Sequence, residues 1–158
     1  MRIVVLGVGN ILLTDEGIGV RAIEDLGRRY RIPPEVELID GGTSAMELLD
    51  DLANCNLLII ADCVRAGNPP GTRLRLKDEE IPALFRTKLS PHQVGLPDVL
   101  ATLIITGEAP DHTILFGVEP ESLATNMSLT PIVEAALPGL VAAIAQEIAA
   151  AGIPLPPR

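Results

Sequence analysis

The sequence predicts an α/β fold: a three-layer αβα sandwich around a mostly parallel sheet of about five strands, with one antiparallel edge strand. Three observations lead there. Short continuous apolar runs, Ile3 to Leu6 and Leu57 to Ile60, read as strands buried on both faces. Segments with apolar residues at helical spacing alternate with them. The chain is 47% apolar with one Tyr, two Phe and no Trp, so its core is aliphatic, as in a sheet covered by helices. At 158 residues, a single α/β domain over 1–158 is expected.

In chain order, Arg2 to Val8 is a first, central strand. Glu16 to Tyr30 is a helix, with Ile18, Ala22, Ile23, Leu26 and Tyr30 at helical spacing and Pro33-Pro34 as its stop. Glu35 to Ile39 is a strand, followed by Asp40-Gly41-Gly42-Thr43 as a loop whose glycine amides are open to an extended peptide. Ser44 to Leu52 is a short helix, and Asn56 to Ala61 a buried strand that ends at Asp62. Ala66 to Gly71 carries the breakers of a loop. Thr72 to Leu76 alternates, with Leu74 and Leu76 on one face and Arg73 and Arg75 on the other, as an antiparallel edge strand does.

Asp78 to Lys88 is expected to be an irregular connection containing a helical turn. Ser90-Pro91-His92-Gln93 has the N-cap, N1 proline and capping box of a helix start. That helix should run to about Ile105, kinked where Pro97 withholds the N–H that Gln93's carbonyl would accept. His112 to Val118 is the last strand. Thr130-Pro131 opens a terminal helix whose buried face comprises Ile132, Val133, Ala136, Leu137, Leu140, Val141, Ile144 and Ile148. Pro138 should bend it, and Gly152 and Pro154 end it. The tail 152–158 is expected to be loose.

Twelve basic and 21 acidic side chains give a net charge of −9, which disfavours nucleic acid and anionic membranes as partners. No apolar run of about 18–20 residues suggests a membrane span, and the start reads as a strand rather than a signal peptide. Cys55 and Cys63 flank an extended strand and so lie about 26 Å apart, beyond disulfide reach. Reduced thiols and a cytoplasmic location are therefore expected.

The chemistry concentrates at the ends of strands. Gly7-Val8-Gly9 begins a dinucleotide fingerprint, but its third glycine would fall at Leu12, and Asp15 and Glu16 would repel a pyrophosphate. Asp40 alone sits where a ribose-binding acid could be. A metal reading fares better. Glu16 follows the first strand, Asp62 ends the third and His92 precedes a helix, and carboxyl ends of strands share one crevice in such sheets. Two carboxylates and an imidazole suit zinc or nickel with positions left open. At a helix N-terminus the imidazole is held neutral, as a ligand requires.

Each residue also has a plainer role: Glu16 as a helix-dipole partner, Asp62 as a turn cap, His92 as a bystander in a first turn. A Ser-His-Asp triad lacks its G-x-S-x-G elbow. A Cys63–His92 thiol pair remains open, although nothing evident activates Cys63.

Taken together, Gly7-Val8-Gly9-Asn10-Ile11-Leu12-Leu13-Thr14-Asp15-Glu16-Gly17-Ile18-Gly19, Asp40-Gly41-Gly42-Thr43, Ile60-Ala61-Asp62 and Ser90-Pro91-His92-Gln93 resemble, in order, the hydrogenase maturation endopeptidases. The resemblance runs from Met1 to about Ala151. It implies an αβα fold, a cytoplasmic location and a metal-binding, catalytic triad at Glu16, Asp62 and His92. It also implies a protease that removes the C-terminal extension of the large-subunit precursor of a nickel–iron hydrogenase. In that family the nickel is carried by the substrate; the free enzyme is expected to take zinc or cadmium at the same three residues. Asp40, Gly41, Gly42 and Thr43 are expected to bind substrate, and the protein to be a monomer. The alternative is a nickel-sensing binding module, or metallochaperone, that escorts the subunit without cutting it. Pro97 and Pro138 are departures that bear on helix geometry rather than on the site.

Overall fold

The computed structural model describes residues 1–88 and 96–158. Five strands form one sheet: β1 (Ile3–Val8), β2 (Val36–Gly42), β3 (Leu57–Cys63), β4 (Arg73–Lys77) and β5 (His112–Val118), in the order β2-β1-β3-β5-β4. β1, β2, β3 and β5 are parallel, and β4 runs antiparallel to β5 at one edge. Among the described residues, five helices cover the sheet: α1 (Ile18–Arg29), α2 (Leu49–Leu52), α3 (Glu80–Lys88), α4 (Leu96–Ile105) and α5 (Pro131–Ala150). Short 3-10 turns, Thr14–Gly17 and Ala45–Leu48, lead into α1 and α2.

Alternation along β1 and β3 creates two cores. Ile3, Val5, Ile59 and Ala61 face α1 and α5, whereas Val4, Leu6, Leu58 and Ile60 face α2, α3 and α4. Both strands are buried throughout, because right-handed crossovers lay helices on both faces. β4 is half exposed: Leu74 and Leu76 turn inward while Arg75 reaches out to Glu147 on α5, at 2.7 Å.

Several expectations need correction. Asp40 to Gly42 is not loop but the end of β2, carried there by pairing with Gly7 and Val8 and by a bulge at Gly41. The connection after β4 is a full nine-residue helix, α3. Its start is organised by Glu80, which accepts the Lys77 N–H at 2.9 Å, and Pro82 falls in the first turn where no donor is needed. Ile132 on α5 is 45% exposed rather than buried, while Val133, Leu140, Val141, Ile144 and Ile148 are buried as expected. Pro138 lies inside a helix that is continuous over 20 residues.

Among the described residues, α5 is a helix long and apolar enough to cross a membrane, which corrects the length expectation. One stripe of it is buried against α1 and the sheet, as in a core helix. The Ser90–Gln93 helix start lies outside the described residues, and so does the Gln93 carbonyl on which the Pro97 kink depends. Finally, the tail is not loose. Arg31 N–H donates to Pro156 O at 2.8 Å, Arg158 N–H to Arg29 O at 2.9 Å, and Ile153 and Leu155 pack on the core.

Candidate active site

Glycines set the site's dimensions. A Cβ on Gly19 would stand 2.1 Å from Ala61 O and 2.6 Å from Val8 O, so the first turn of α1 rests directly on the carboxyl ends of β1 and β3. Gly9, at φ +131°, would place a Cβ 1.9 Å from Glu16 O. Only residues without side chains permit this approach. The consequence is chemical: the Thr14–Gly17 turn is pressed onto the sheet edge, and its acids are buried rather than solvated.

Asp15, Glu16 and Asp62 are 0%, 3% and 1% exposed, respectively. Asp15 is absorbed structurally. Its carboxylate accepts the N–H groups of Glu121 (2.8 Å), Ser122 (3.0 Å) and Thr130 (2.8 Å), and the Thr130 hydroxyl. Together with Thr14 N–H donating to Asn126 O at 2.8 Å, this fastens the segment between β5 and α5 over the turn. Sequence reasoning missed the role, because its partners lie more than 100 residues away.

Glu16 is placed differently. Burial pushes its carboxyl up to about 7, against a hydrogen bond from the Asn10 backbone and the positive field of Arg65. Asp62, the penultimate residue of β3, accepts the Cys63 N–H at 2.7 Å and points to the face opposite Cys63. The negative fields of Asp62, Glu16 and Asp15 all reach the Cys63 thiol. Two of the three expected site residues thus share one buried neighbourhood at the carboxyl edge of β1 and β3. The third, His92, lies outside the described residues. Arg65, exposed at the rim, supplies a cation that the sequence reading did not single out.

The same geometry disposes of the thiol reading. Burial and three nearby carboxylates drive the Cys63 pKa far above its ordinary range, so no thiolate nucleophile forms there. Nor does the Gly9 turn leave a phosphate cradle, since the 3-10 turn with its two acids occupies the space.

Asp40 to Thr43 stand at the same edge. Gly9 N–H donates to Gly42 O at 2.8 Å, tying the end of β2 to the glycine turn that carries Glu16. The Gly42 amide is taken by Asp40 Oδ1 at 2.9 Å, so it is not open, contrary to expectation. A Cβ on Gly41 would meet Leu6 Cδ1 at 2.8 Å and Gly7 O at 3.2 Å, which makes Gly41 a packing position.

Among the described residues, no three His, Cys, Asp or Glu side chains could hold a metal on their own. The donors present, two buried carboxylates, fit a divalent ion that finds its remaining ligands elsewhere: on 89–95 or on a partner.

A mostly parallel sheet, covered on both faces, with buried carboxylates at its carboxyl edge and, among the described residues, no phosphate loop, is an α/β architecture of the kind that binds ligands at that edge, without the cradle of a nucleotide binder. The chain belongs to the hydrogenase maturation protease family, whose pattern matches residues 20–147. It is 54% identical over 159 residues to the hydrogenase 2 maturation protease of Escherichia coli (strain K12), spanning 100% of this chain and 97% of that protein. A hydrogenase expression/formation protein, HupD of Rhodobacter capsulatus, is 38% identical over 154 residues, 96% of this chain and 73% of that one. Among solved structures, the hydrogenase maturating endopeptidase HybD from E. coli superposes with a TM-score of 0.96 at 53% identity, over 100% of this chain and 98% of that chain. The chain is an endopeptidase, and the reading as an escort that does not cut gives way.

Proposed function

We propose that the protein removes the C-terminal extension of the nickel-loaded large-subunit precursor of a nickel–iron hydrogenase, and that Glu16, Asp62 and His92 recognise the nickel the substrate carries. The observation that carries this reading is the burial of Glu16 and Asp62 together at the sheet edge. Burying carboxylates is costly, and a metal arriving on the substrate offsets part of that cost. Among the described residues the set is two carboxylates, which suits recognition of an ion already held by another protein. The free protein is expected to take zinc or cadmium weakly at the same side chains. Asp40 to Thr43 line the approach. The buried thiols of Cys55 and Cys63, in no disulfide, suit a reducing cytoplasm, and the protein acts as a monomer.

Gating follows from the arithmetic. Each tenfold of affinity is about 1.4 kcal/mol, so withholding one coordination bond holds back unloaded precursor. The test compares nickel-free with nickel-loaded precursor, using the wild type, Glu16→Gln and Asp62→Asn. The tail should be released only from loaded precursor, and slowly or not at all by the variants. Equal cutting of nickel-free precursor would sink the gate and favour an ion resident on the enzyme.

A further inference from the structure

We infer that the free edge of β2 receives the precursor's C-terminal extension as an added antiparallel strand, and that it selects an extension bearing basic side chains; this rests on the processing reading above. β2 is the outermost strand on its side of the sheet. Its ladder to β1 uses alternate residues: Ile3 N–H donates to Glu35 O at 2.9 Å, with Ile3 opposite Val36, Val5 opposite Leu38 and Gly7 opposite Asp40. In a parallel pair this phase turns the main-chain groups of Leu38 and Asp40 away from β1. Among the described residues, no main-chain group pairs with them. The Asp40 side chain is engaged with Gly42 and leaves that edge open.

Natural edges are blunted by charged side chains, lysine above all, by proline, by bulges or by a covering element. β2, Val-Glu-Leu-Ile-Asp-Gly-Gly, has no lysine or proline; its charges are the carboxylates Glu37 and Asp40 and its bulge falls at Gly41, beyond the outward-facing Leu38 and Asp40, whereas the opposite edge β4 carries Arg73, Arg75 and Lys77. An open edge that leads into a protease site is a template for an extended peptide.

Position fixes the direction. The carboxyl end of β2 is tied through Gly42 to the Gly9 turn, and hence to Glu16. The bond to be cut must lie at that end. Everything C-terminal to it leads away, and leading away along β2 means running from Gly42 towards Val36, antiparallel to the strand. Seven residues of β2 offer a track of about 23 Å. In antiparallel pairing, Leu38 and Asp40 each exchange two hydrogen bonds with the residue facing them, and the intervening residues of the extension exchange none.

Charge fixes the chemistry of the occupant. Between Arg31 and Arg65 the chain carries seven carboxylates and no lysine or arginine. Glu37 and Asp40 on β2, and Glu47, Asp50 and Asp51 just after it, are exposed. Arg2 already reaches Glu37 at 3.6 Å, so this surface accepts a guanidinium. A basic extension is drawn to it and an acidic one repelled.

The experiment uses the whole protein with nickel-loaded large-subunit precursor, and reads hydrogen exchange and processing separately. The Leu38 and Asp40 amides should become protected on binding. Proline placed one residue at a time along the extension should slow processing about tenfold at alternate positions and little between them. Replacing its basic residues with glutamate should raise KM more than it lowers kcat. Unchanged exchange at Leu38 and Asp40, or proline effects without alternation, overturns the inference. Release of the tail without protection overturns the edge and leaves the processing reading standing. Protection without release supports the edge and counts against that reading.

Discussion

Asp15 and Glu16 are neighbours with equal burial and different partners, and the difference predicts opposite mutant behaviour. Asp15 receives backbone donors from three residues of the β5–α5 segment. Asp15→Ala leaves those donors unsatisfied and should cost about 3–5 kcal/mol in urea unfolding; a loss below about 1 kcal/mol would contradict the role. Glu16 pays for its position instead. Its carboxyl titrates near 7 in the folded chain against an ordinary 4.5, so the folded state holds the proton longer than the unfolded state. Stability of the metal-free protein therefore falls as pH rises from about 4.5 to 7, by about 3 kcal/mol, and is level beyond. Glu16→Gln should be more stable than wild type at pH 8, no different near pH 4, and inactive in processing. Unfolding curves at both pH values check the sign; a variant less stable at pH 8 would refute it.

At the scale of elements, the site depends on how closely α1 lies on the sheet. Gly19→Ala drives a Cβ into two backbone carbonyls, which cannot turn aside as a side chain could, so α1 must lift. The expected loss is about 3 kcal/mol, accompanied by slower processing because the Glu16 turn moves with the helix. Gly67→Ala, at φ +87° with nothing within 4 Å, should cost only about 1 kcal/mol and leave processing alone. Thermal unfolding beside a processing assay separates the two. The strands were legible in the sequence, since apolar runs such as Leu57 to Ile60 admit few other readings, and so was the place of Asp62, which closes such a run, and of Glu16, which follows the glycine turn after one, at the sheet's carboxyl edge. What stayed hidden depends on long-range pairing. The extension of β2 through Gly42 comes from register with β1, and the hub at Asp15 from a segment more than 100 residues downstream; α3 is the exception, started by a local cap that Glu80 makes on Lys77.

Across the whole molecule, the proposed site and the fastening of the tail sit at opposite ends of the sheet. Glu16 and Asp62 lie at the carboxyl edge, where α1 begins. The tail closes on the other end of that helix: Arg158 Nε donates to Gly27 O at 3.0 Å and Tyr30 O at 3.1 Å, and Tyr30 forms an antiparallel bridge with Pro157. The twelve residues of α1 separate the two by about 18 Å. Removing 153–158 uncovers the partly buried Ile153 and Leu155 and frees the carbonyls at the end of α1, a loss of about 2 kcal/mol. For a chain of this size the melting temperature should drop by about 4–8 °C. Processing of loaded precursor at 25 °C should be unchanged, because nothing in the tail touches the turn that carries Glu16. Calorimetry and a processing assay on the truncated chain test both halves. A fall in processing with an unchanged melting temperature would instead assign the tail to the substrate and remove it from the scaffold.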